Sequence, residues 1–133
     1  MAATRTRSEG RVIGMFNQTT LVGRLTRDAE AGQLPNERRT PRLRFTLAVD
    51  REYEVDGETA VDFWPVELVG EHAPKLAPYL TKGRLLLVHG STHIDERRTE
   101  GAYRVFPYLS ARTVRFLERR RPDGELGAAE SEG

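Results

Sequence analysis

Five segments between residues 19 and 118 show the alternating or continuous apolar pattern that is typical of β-strands. The clearest is PRLRFTLAVD, in which every second residue from Leu43 to Val49 is apolar and the opposite face carries two arginines. Gly23 in the first segment predicts a bulge or a close backbone approach, and Pro107 in the last predicts a break or a bend. The remaining segments are residues 19–27, 61–69, 84–95 and 102–118.

The segment between the third and fourth predicted strands changes its period to three and four residues, which predicts a short helix that ends at Gly83. Pro74 suits the first turn of this helix, whereas Pro78 would weaken its middle. Its apolar positions are Ala73, Leu76, Ala77 and Leu80.

Three connections separate the other strands. Residues 31–41 read as a loop, residues 51–60 as a hairpin with a long flexible loop around Asp56-Gly57, and residues 96–101 as a polar turn. Three strands, one helix and two strands form the order expected of the OB-fold, an all-β barrel of five strands with one short helix between strands 3 and 4. Other small barrels fit the same pattern.

The two ends of the chain lack any sustained apolar period. The predicted organisation is a disordered N-terminal extension (residues 1–14), an OB-fold domain (residues 15–118) and a short disordered C-terminal tail (residues 119–133). The 133 residues are enough for one domain with a core. There is no apolar run of about 18 residues and no apolar centre of a secretory signal, so we expect a cytoplasmic protein with no membrane partner.

Composition removes several classes of function. The chain has no cysteine, which excludes disulfides, thiol catalysis and cysteine-bound zinc. With 21 basic and 20 acidic residues the net charge is only +1, so overall charge does not indicate nucleic acid, and only the distribution of charge can. Arginine supplies 19 of the 21 basic residues, and its guanidinium can grip phosphate and stack on a base.

Phe63 and Trp64 are adjacent on a predicted strand, so their rings must point to opposite faces. Trp64 shares its parity with Val66 and Leu68, which predicts that Trp64 enters the core and Phe63 faces outward. A slip of the pleat at Pro65 would exchange the two rings.

Exposed rings interleaved with arginines are what single-stranded nucleic acid requires, because rings stack on bases and guanidinium groups follow the phosphates. The competing interpretation is ordinary, since rings on strands pack against their neighbours and a charged loop is most often solvated surface. The candidate nucleic-acid-binding residues are Arg38, Arg39, Arg42, Arg44, Arg51, Tyr53, Phe63, Arg97, Arg98 and Tyr103.

Two further groups of residues resemble catalytic or metal sites. In HGSTHID four polar side chains alternate onto one strand face, but this spacing is the strand period and nothing nearby predicts a strained nucleophile or an oxyanion hole. Five carboxylates around Asp56 could hold a cation for nuclease chemistry, but they fit a solvated loop better. We therefore expect no catalytic residue, no metal and no cofactor. The first set consists of His89, Ser91, His93 and Asp95. The second set consists of Glu52, Glu54, Asp56, Glu58 and Asp62.

Four stretches occur in an order and spacing that resemble the bacterial single-stranded DNA-binding proteins, over residues 15 to 117. They are LVGRLTRDAE preceded by Asn17, RFTLAVDREY, DFWPVELVG and LAPYLTKGRLLLVHG. The resemblance implies that Tyr53 and Phe63 stand where the family usually has stacking tryptophans. It also implies that another tryptophan of the family falls near the sequence position of Arg97. Val69 stands where the family has a further aromatic residue.

The resemblance implies a non-enzymatic protein that coats single-stranded DNA during replication, recombination and repair, as a homotetramer associated with the nucleoid. The family's acidic tail tip with Pro-Phe has no counterpart in GAAESEG, so recruitment of replication and repair proteins by that route is not expected. Two alternatives remain at this point. One is an OB-fold accessory module that acts mainly through replication proteins, and the other is a small metal-dependent nuclease.

Overall fold

The computed structural model describes residues 2–3 and 15–118 and consists mostly of β-strands. The strands are β1 (Ala2–Ala3), β2 (Thr19–Leu25), β3 (Glu30–Gln33), β4 (Pro41–Val55), β5 (Glu58–Val69), β6 (Leu85–Thr99) and β7 (Ala102–Phe116). Between β5 and β6 lie one helical turn, α1 (Ala73–Leu76), and a 3₁₀ turn over Ala77–Tyr79. Pro74 lies in the first turn of α1 and Pro78 in the 3₁₀ turn, as the two prolines predict.

Five of the strands close a barrel, and they match the five predicted strands. β2 pairs with β6 and β4, β4 with β5, and β6 with β7, all antiparallel. A short parallel pairing of β5 with β7 at Val66–Leu109 and Glu67–Ser110 completes the ring. The OB-fold prediction is therefore confirmed, with one short helical segment between the third and fourth barrel strands.

Apart from Trp64, the barrel interior is filled by the residues that the alternation assigns to it. β4 contributes Leu43, Phe45 and Leu47, which lie opposite Leu68, Val66 and Trp64 of β5. The remaining core side chains are Leu25, Ala73, Leu80, Leu86, Val88 and Leu109. Gly23 approaches β4 closely, because a Cβ atom there would lie 2.5 Å from the carbonyl oxygen of Ala48.

The β4–β5 hairpin is longer and tighter than the sequence predicts. Strand pairing continues to Val55 and Glu58, so the connection is a two-residue turn rather than a long flexible loop. Asp56 and Gly57 both have positive φ, 52° and 80°, which is the backbone that Asp-Gly supplies in tight hairpins. The prediction of a long loop was wrong because the polar end of the hairpin loses its apolar alternation while its backbone pairing continues.

The predicted loop over residues 31–41 contains strand structure. β3 pairs with β4 from Glu30 opposite Arg44 to Gln33 opposite Pro41, and all four β3 residues are exposed. A strand with no buried side chain has no hydrophobic period, and the sequence pattern therefore could not show it.

The β6–β7 hairpin also differs from its prediction. Residues 96–99 belong to β6, and the turn is confined to Glu100 and Gly101. β7 runs unbroken through Pro107, which lies opposite Ile94. The register shifts instead at Arg112, because Ala111 pairs with Gly90 and Thr113 with His89, which leaves Arg112 without a partner in β6. The pairing of β7 with β5 begins at Leu109, so among the described strands β7 is paired on one side only near Pro107, where proline is tolerated.

The predicted terminal segments fall mostly outside the described residues. Ala2–Ala3 of the predicted N-terminal extension forms β1, which pairs with β6 at Arg97 and Glu96. The rest of residues 1–14 and the predicted tail, residues 119–133, lie outside the described residues. Within the described part of the chain, no helix is long and apolar enough to span a membrane.

Candidate nucleic-acid interface

A groove of about 320 Å³ opens on the outer surface, between the β4–β5 sheet and the far half of the β6–β7 hairpin. It forms because the hairpin extends well beyond the barrel and leans beside the outward-facing residues of β4 and β5. The β4–β5 sheet contributes Arg44, Thr46, Pro65 and Glu67, and the hairpin contributes Asp95, Arg97, Phe106 and Tyr108.

The hairpin wall of the groove presents a ring and a guanidinium group together. The Arg97 guanidinium carbon lies 5.0 Å from the centroid of the Phe106 ring, a cation–π contact. The side chain of Phe106 is 41% exposed, so its ring remains accessible from the groove. Asp95 lies directly opposite Phe106 in the β6–β7 ladder, which places a carboxylate beside the same ring.

Tyr108 lies deeper in the groove. Its ring stacks on His93 with a centroid distance of 5.7 Å. The pKa of the Tyr108 phenol is raised above its usual value, mainly by burial and then by the negative charges of Asp95 and Glu67, while Arg44 acts in the opposite direction. The phenol is therefore protonated at neutral pH, and these charged groups converge on it.

The outward face of β5 continues from the groove toward Phe63. Phe63 shares its parity with Pro65 and Glu67, lies opposite the small residue Ala48, and is 66% exposed. The expectation that Phe63 is the outer ring is therefore confirmed. Trp64 shares the inward parity of Val66 and Leu68 but is only half-buried and lies outside the core cluster, so the prediction that Trp64 enters the core was wrong. The core at this level is formed by its pairing partner Leu47, which is fully buried.

Arg51 and Tyr53 form a fixed group on the β4–β5 hairpin. The Arg51 guanidinium donates to both Asp62 carboxylate oxygens, at 2.8 to 3.1 Å, and to the Tyr53 hydroxyl at 2.8 Å. These hydrogen bonds raise the pKa of Arg51 further, and the bond from Arg51 lowers the pKa of Asp62. The arrangement places the Tyr53 ring, which is 57% exposed, beside the Arg51 guanidinium, whose carbon lies 5.8 Å from the ring centroid.

The predicted arginines do not all meet at one place. Arg44 and Arg97 line the groove, and Arg42 shares the outward face of β4 with Arg44. Arg38 and Arg39 lie in the turn before β4, which is closed by hydrogen bonds between Asn36 and Thr40. Neither Arg38 nor Arg39 lines the groove.

Arg98 and Tyr103 lie on the other face of the β6–β7 hairpin from Arg97 and Phe106. They are directly opposite each other in the ladder, with the Arg98 guanidinium 5.0 Å from the Tyr103 ring centroid. The Tyr103 hydroxyl donates to Glu96 Oε1 at 2.9 Å. The structure therefore does not bring these two predicted residues into the groove.

The groove contains residues that the sequence prediction did not select. Phe106 and Tyr108 are noticeable in the sequence as strand aromatics, but only the register of the hairpin shows that Phe106, and not Tyr103, faces the groove. The two-residue turn at Glu100-Gly101 is the signal that could have fixed this register. Arg27, two residues after β2, also lines the groove.

The two sets of residues that resemble catalytic sites show no such geometry. Ser91 Oγ and His93 Nε2 are 2.9 Å apart and Thr20 Oγ1 and His89 Nδ1 are 2.7 Å apart, as neighbours on the outer face of the sheet. Across residues 15–118, no group of three or more histidine or carboxylate side chains is arranged to hold a metal ion.

A closed five-stranded barrel with exposed rings and arginines along one outer groove defines an OB-fold protein of the kind that accommodates oligomeric ligands. The model of the Single-strand binding protein family matches residues 16–117. The chain belongs to this family.

Two relatives agree with this assignment. The chain is 38% identical over 104 residues to "Single-stranded DNA-binding protein 2" of Clostridium acetobutylicum, covering 77% of each chain. It is 38% identical over 112 residues to the single-stranded DNA-binding protein of Thermotoga maritima, covering 81% of this chain and 78% of the other.

Two solved structures share the fold at lower identity. The structure titled "Plasmodium falciparum SSB complex with ssDNA" has a TM-score of 0.65 at 19% identity, covering 75% of this chain and 89% of that one. The small single-stranded DNA-binding protein of Streptomyces coelicolor has a TM-score of 0.61 at 22% identity, covering 77% and 95%. At these identities the likeness concerns the fold alone.

Proposed function

We propose that this protein binds single-stranded DNA of any sequence, with bases stacked on the exposed rings of the groove face and phosphates held by arginines. The observation that carries the proposal is the Arg97–Phe106 contact of 5.0 Å in an open groove, on a chain of the single-strand binding protein family. Flat rings accept every base, and guanidinium groups bind the phosphates between them.

The proposed roles follow the positions of the side chains. Phe63 and Phe106 are the stacking rings, and Tyr53, held by Arg51, supplies a further ring on the β4–β5 hairpin. Arg51 acts in this proposal by positioning Tyr53, because its Nε and Nη2 groups donate to Asp62 while its Nη1 group donates to the Tyr53 hydroxyl. The phosphate contacts are assigned to Arg44 and Arg97 in the groove, to Arg42 on the same face of β4, and, outside the groove, to Arg38 and Arg39 in the turn before β4.

The first prediction concerns salt and strand number. The protein is expected to bind single-stranded oligonucleotides much more tightly than duplexes, because stacked base pairs hide the faces that rings need. If about three to five phosphates are contacted, the logarithm of the association constant should fall with the logarithm of salt concentration with a slope of about −2 to −3.5. Fluorescence titrations at several salt concentrations measure both quantities.

Equal affinity for duplex and single strand, or no binding, would contradict the proposal. The same titrations with labelled single strands and Mg²⁺ address the nuclease alternative, because only an enzyme produces fragments. We propose a binding protein without catalytic activity and expect the strands to remain intact.

We also propose that the protein is a homotetramer. β2 pairs with β6 over Thr19–Arg24 but with β4 only at Arg24 and Leu25. Among the described strands, the other edge of Thr19–Val22 therefore has no partner within one chain. An unpaired edge with the exposed Val22 favours pairing with a second copy.

The second prediction is the mass in solution. Light scattering at micromolar concentration is expected to give four times the chain mass of 15.1 kDa. A charge placed on the β2 edge, Val22→Lys, should lower this mass, while the equally exposed Val55→Lys at the hairpin tip should not. A monomer mass for the parent protein would contradict the tetramer.

A second candidate function is an accessory module that acts through protein partners. The observation that favours it is the apolar outer face of the β6–β7 hairpin, where Ile94 and Val105 are about half exposed. Failure of the titration to show preferential single-strand binding would favour this candidate. For either function we propose a role in replication, recombination and repair at the nucleoid in the cytoplasm, supported by membership of the family.

A further inference from the structure

The groove that is proposed to receive DNA carries negative charge as well as positive charge. Three guanidinium groups line it, but so do four carboxylates. A phosphate backbone could not follow such a lining along its full length, because carboxylates repel phosphates. The arginines are Arg27, Arg44 and Arg97, and the acidic residues are Asp28, Glu30, Glu67 and Asp95.

Two of these carboxylates lie beside aromatic side chains of the groove. Asp95 is directly opposite Phe106 in the ladder, so a base lying on the Phe106 ring presents its edge near the Asp95 carboxylate. Glu67 lies across the groove on β5, and both carboxylates act on the Tyr108 phenol between them. The two acidic groups therefore line the same groove within electrostatic reach of Tyr108.

These two carboxylates also retain free acceptor capacity. Within residues 15–118 the side chain of Asp95 forms no hydrogen bond or ion pair. Glu67 approaches Arg44 through one oxygen only, with a long Nε–Oε2 distance of 3.5 Å. By contrast, Asp28 Oδ1 already accepts a hydrogen bond from the backbone N–H of Lys82 at 2.9 Å.

We propose, resting on the single-stranded DNA binding proposed above, that Asp95 and Glu67 make the groove prefer bases with an exocyclic amino group, cytosine in particular, over thymine and uracil. The N4 amino group of cytosine donates to a carboxylate, as acidic side chains do when they read this base. Thymine and uracil present the O4 carbonyl oxygen at the same position, and two acceptors facing each other repel.

This preference is graded and does not replace general binding. Stacking on Phe106 and Phe63 is available to every base, and the carboxylates add a hydrogen bond only where the base edge carries a donor. The proposal also orients the strand, with bases directed toward Asp95 and Glu67 and phosphates directed toward the arginines at the rim.

The test compares oligo(dC) with oligo(dU) of equal length, because the two bases differ mainly in N4 against O4. With the full-length protein at mildly alkaline pH and fixed salt, oligo(dC) is expected to bind about threefold to tenfold more tightly, as one hydrogen bond of ordinary net strength would give. In Asp95→Asn the ratio of the two dissociation constants should fall toward one, because an amide can also donate to O4.

Glu67→Gln should independently lower the ratio of the two dissociation constants. This second variant keeps the test informative if Asp95→Asn has a much lower melting temperature than the parent. Glu71→Gln is the matched control, because it removes the same charge from an exposed position that does not line the groove. It should leave the ratio unchanged.

Equal affinities of the parent protein for the two oligonucleotides would overturn the inference while leaving the proposed function intact. The inference would also fail if Asp95→Asn strengthened binding to both oligonucleotides by the same factor, since the carboxylates would then act only by repelling phosphates. A protein that binds neither oligonucleotide would overturn the proposed function itself, and the inference with it.

Discussion

Replacing both Phe63 and Phe106 with alanine is expected to weaken binding to oligo(dT) by about 2 to 6 kcal/mol, which is a loss of about 30-fold or more in Kd. The range is the known value of about 1 to 3 kcal/mol per stacked base in single-strand binding proteins of this kind, applied to two rings. Because 66% of Phe63 and 41% of Phe106 are exposed, the melting temperature should stay close to that of the parent. Fluorescence titration and thermal unfolding of the same samples measure the two effects separately.

Two other rings serve as controls for this double variant. Tyr79→Ala removes an exposed ring from the 3₁₀ turn that does not line the groove, and should leave affinity unchanged. Tyr103→Ala removes a ring from the opposite face of the β6–β7 hairpin and should have little effect. If Tyr103→Ala weakened binding as much as Phe106→Ala, the DNA would pass over the other face of the hairpin, and the assignment of the groove would be wrong.

The fold could be predicted because its core strands carry their own signal. Leu43, Phe45 and Leu47 alternate cleanly in β4 because one face packs in the barrel and the other meets solvent. The change of period after β5 likewise marked the short helical segment. The parity of Phe63 with Pro65 then placed the outer ring correctly, because no bulge interrupts β5 at that point.

The parts that could not be predicted are those that extend beyond the barrel. The ends of both long hairpins bury few side chains, so residues such as Glu54 and Arg98 show no alternation although their backbones are paired. The interpretation of residues 96–101 as a turn left the register of β7 undefined. Without that register, Tyr103 and Phe106 could not be assigned to opposite faces.

The composition of the groove was also beyond the reach of the sequence pattern. Arg44, Glu67 and Asp95 come from three strands and are brought together only by the closure of the barrel and the lean of the β6–β7 hairpin. The sequence showed arginines near rings, and the prediction accordingly emphasised positive charge. The roles of the ten residues selected from the sequence remain predictions, and the variants at Phe63 and Tyr103 test two of them.

Replacing Gly90 with alanine is expected to destabilise the barrel by about 2 to 4 kcal/mol, as overpacking at a closely packed position does. Gly90 is buried in β6, where it pairs with Thr19 of β2 on one side and Ala111 of β7 on the other. A Cβ atom at Gly90 would overlap the carbonyl oxygen of Ser110 and lie 2.9 Å from its carbonyl carbon. These are backbone atoms of a paired strand, which cannot rotate away as the end of a side chain can.

The close approach lies beside the bulge at Arg112, where β7 changes register against β6 and turns from the barrel wall into the hairpin that forms the groove. An alanine at Gly90 must therefore push β6 and β7 apart at the point that sets the lean of the β6–β7 hairpin. The melting temperature should consequently fall by about 10 to 20 °C. Gly32→Ala is the matched control, since Gly32 lies in the exposed strand β3 and its added Cβ would meet only the Arg42 Nε atom, at 3.7 Å. We expect Gly32→Ala to melt within a few degrees of the parent. If Gly90→Ala melted at the same temperature as Gly32→Ala, the strands would be free to separate at Arg112, and the glycine would not be what holds the hairpin against the groove.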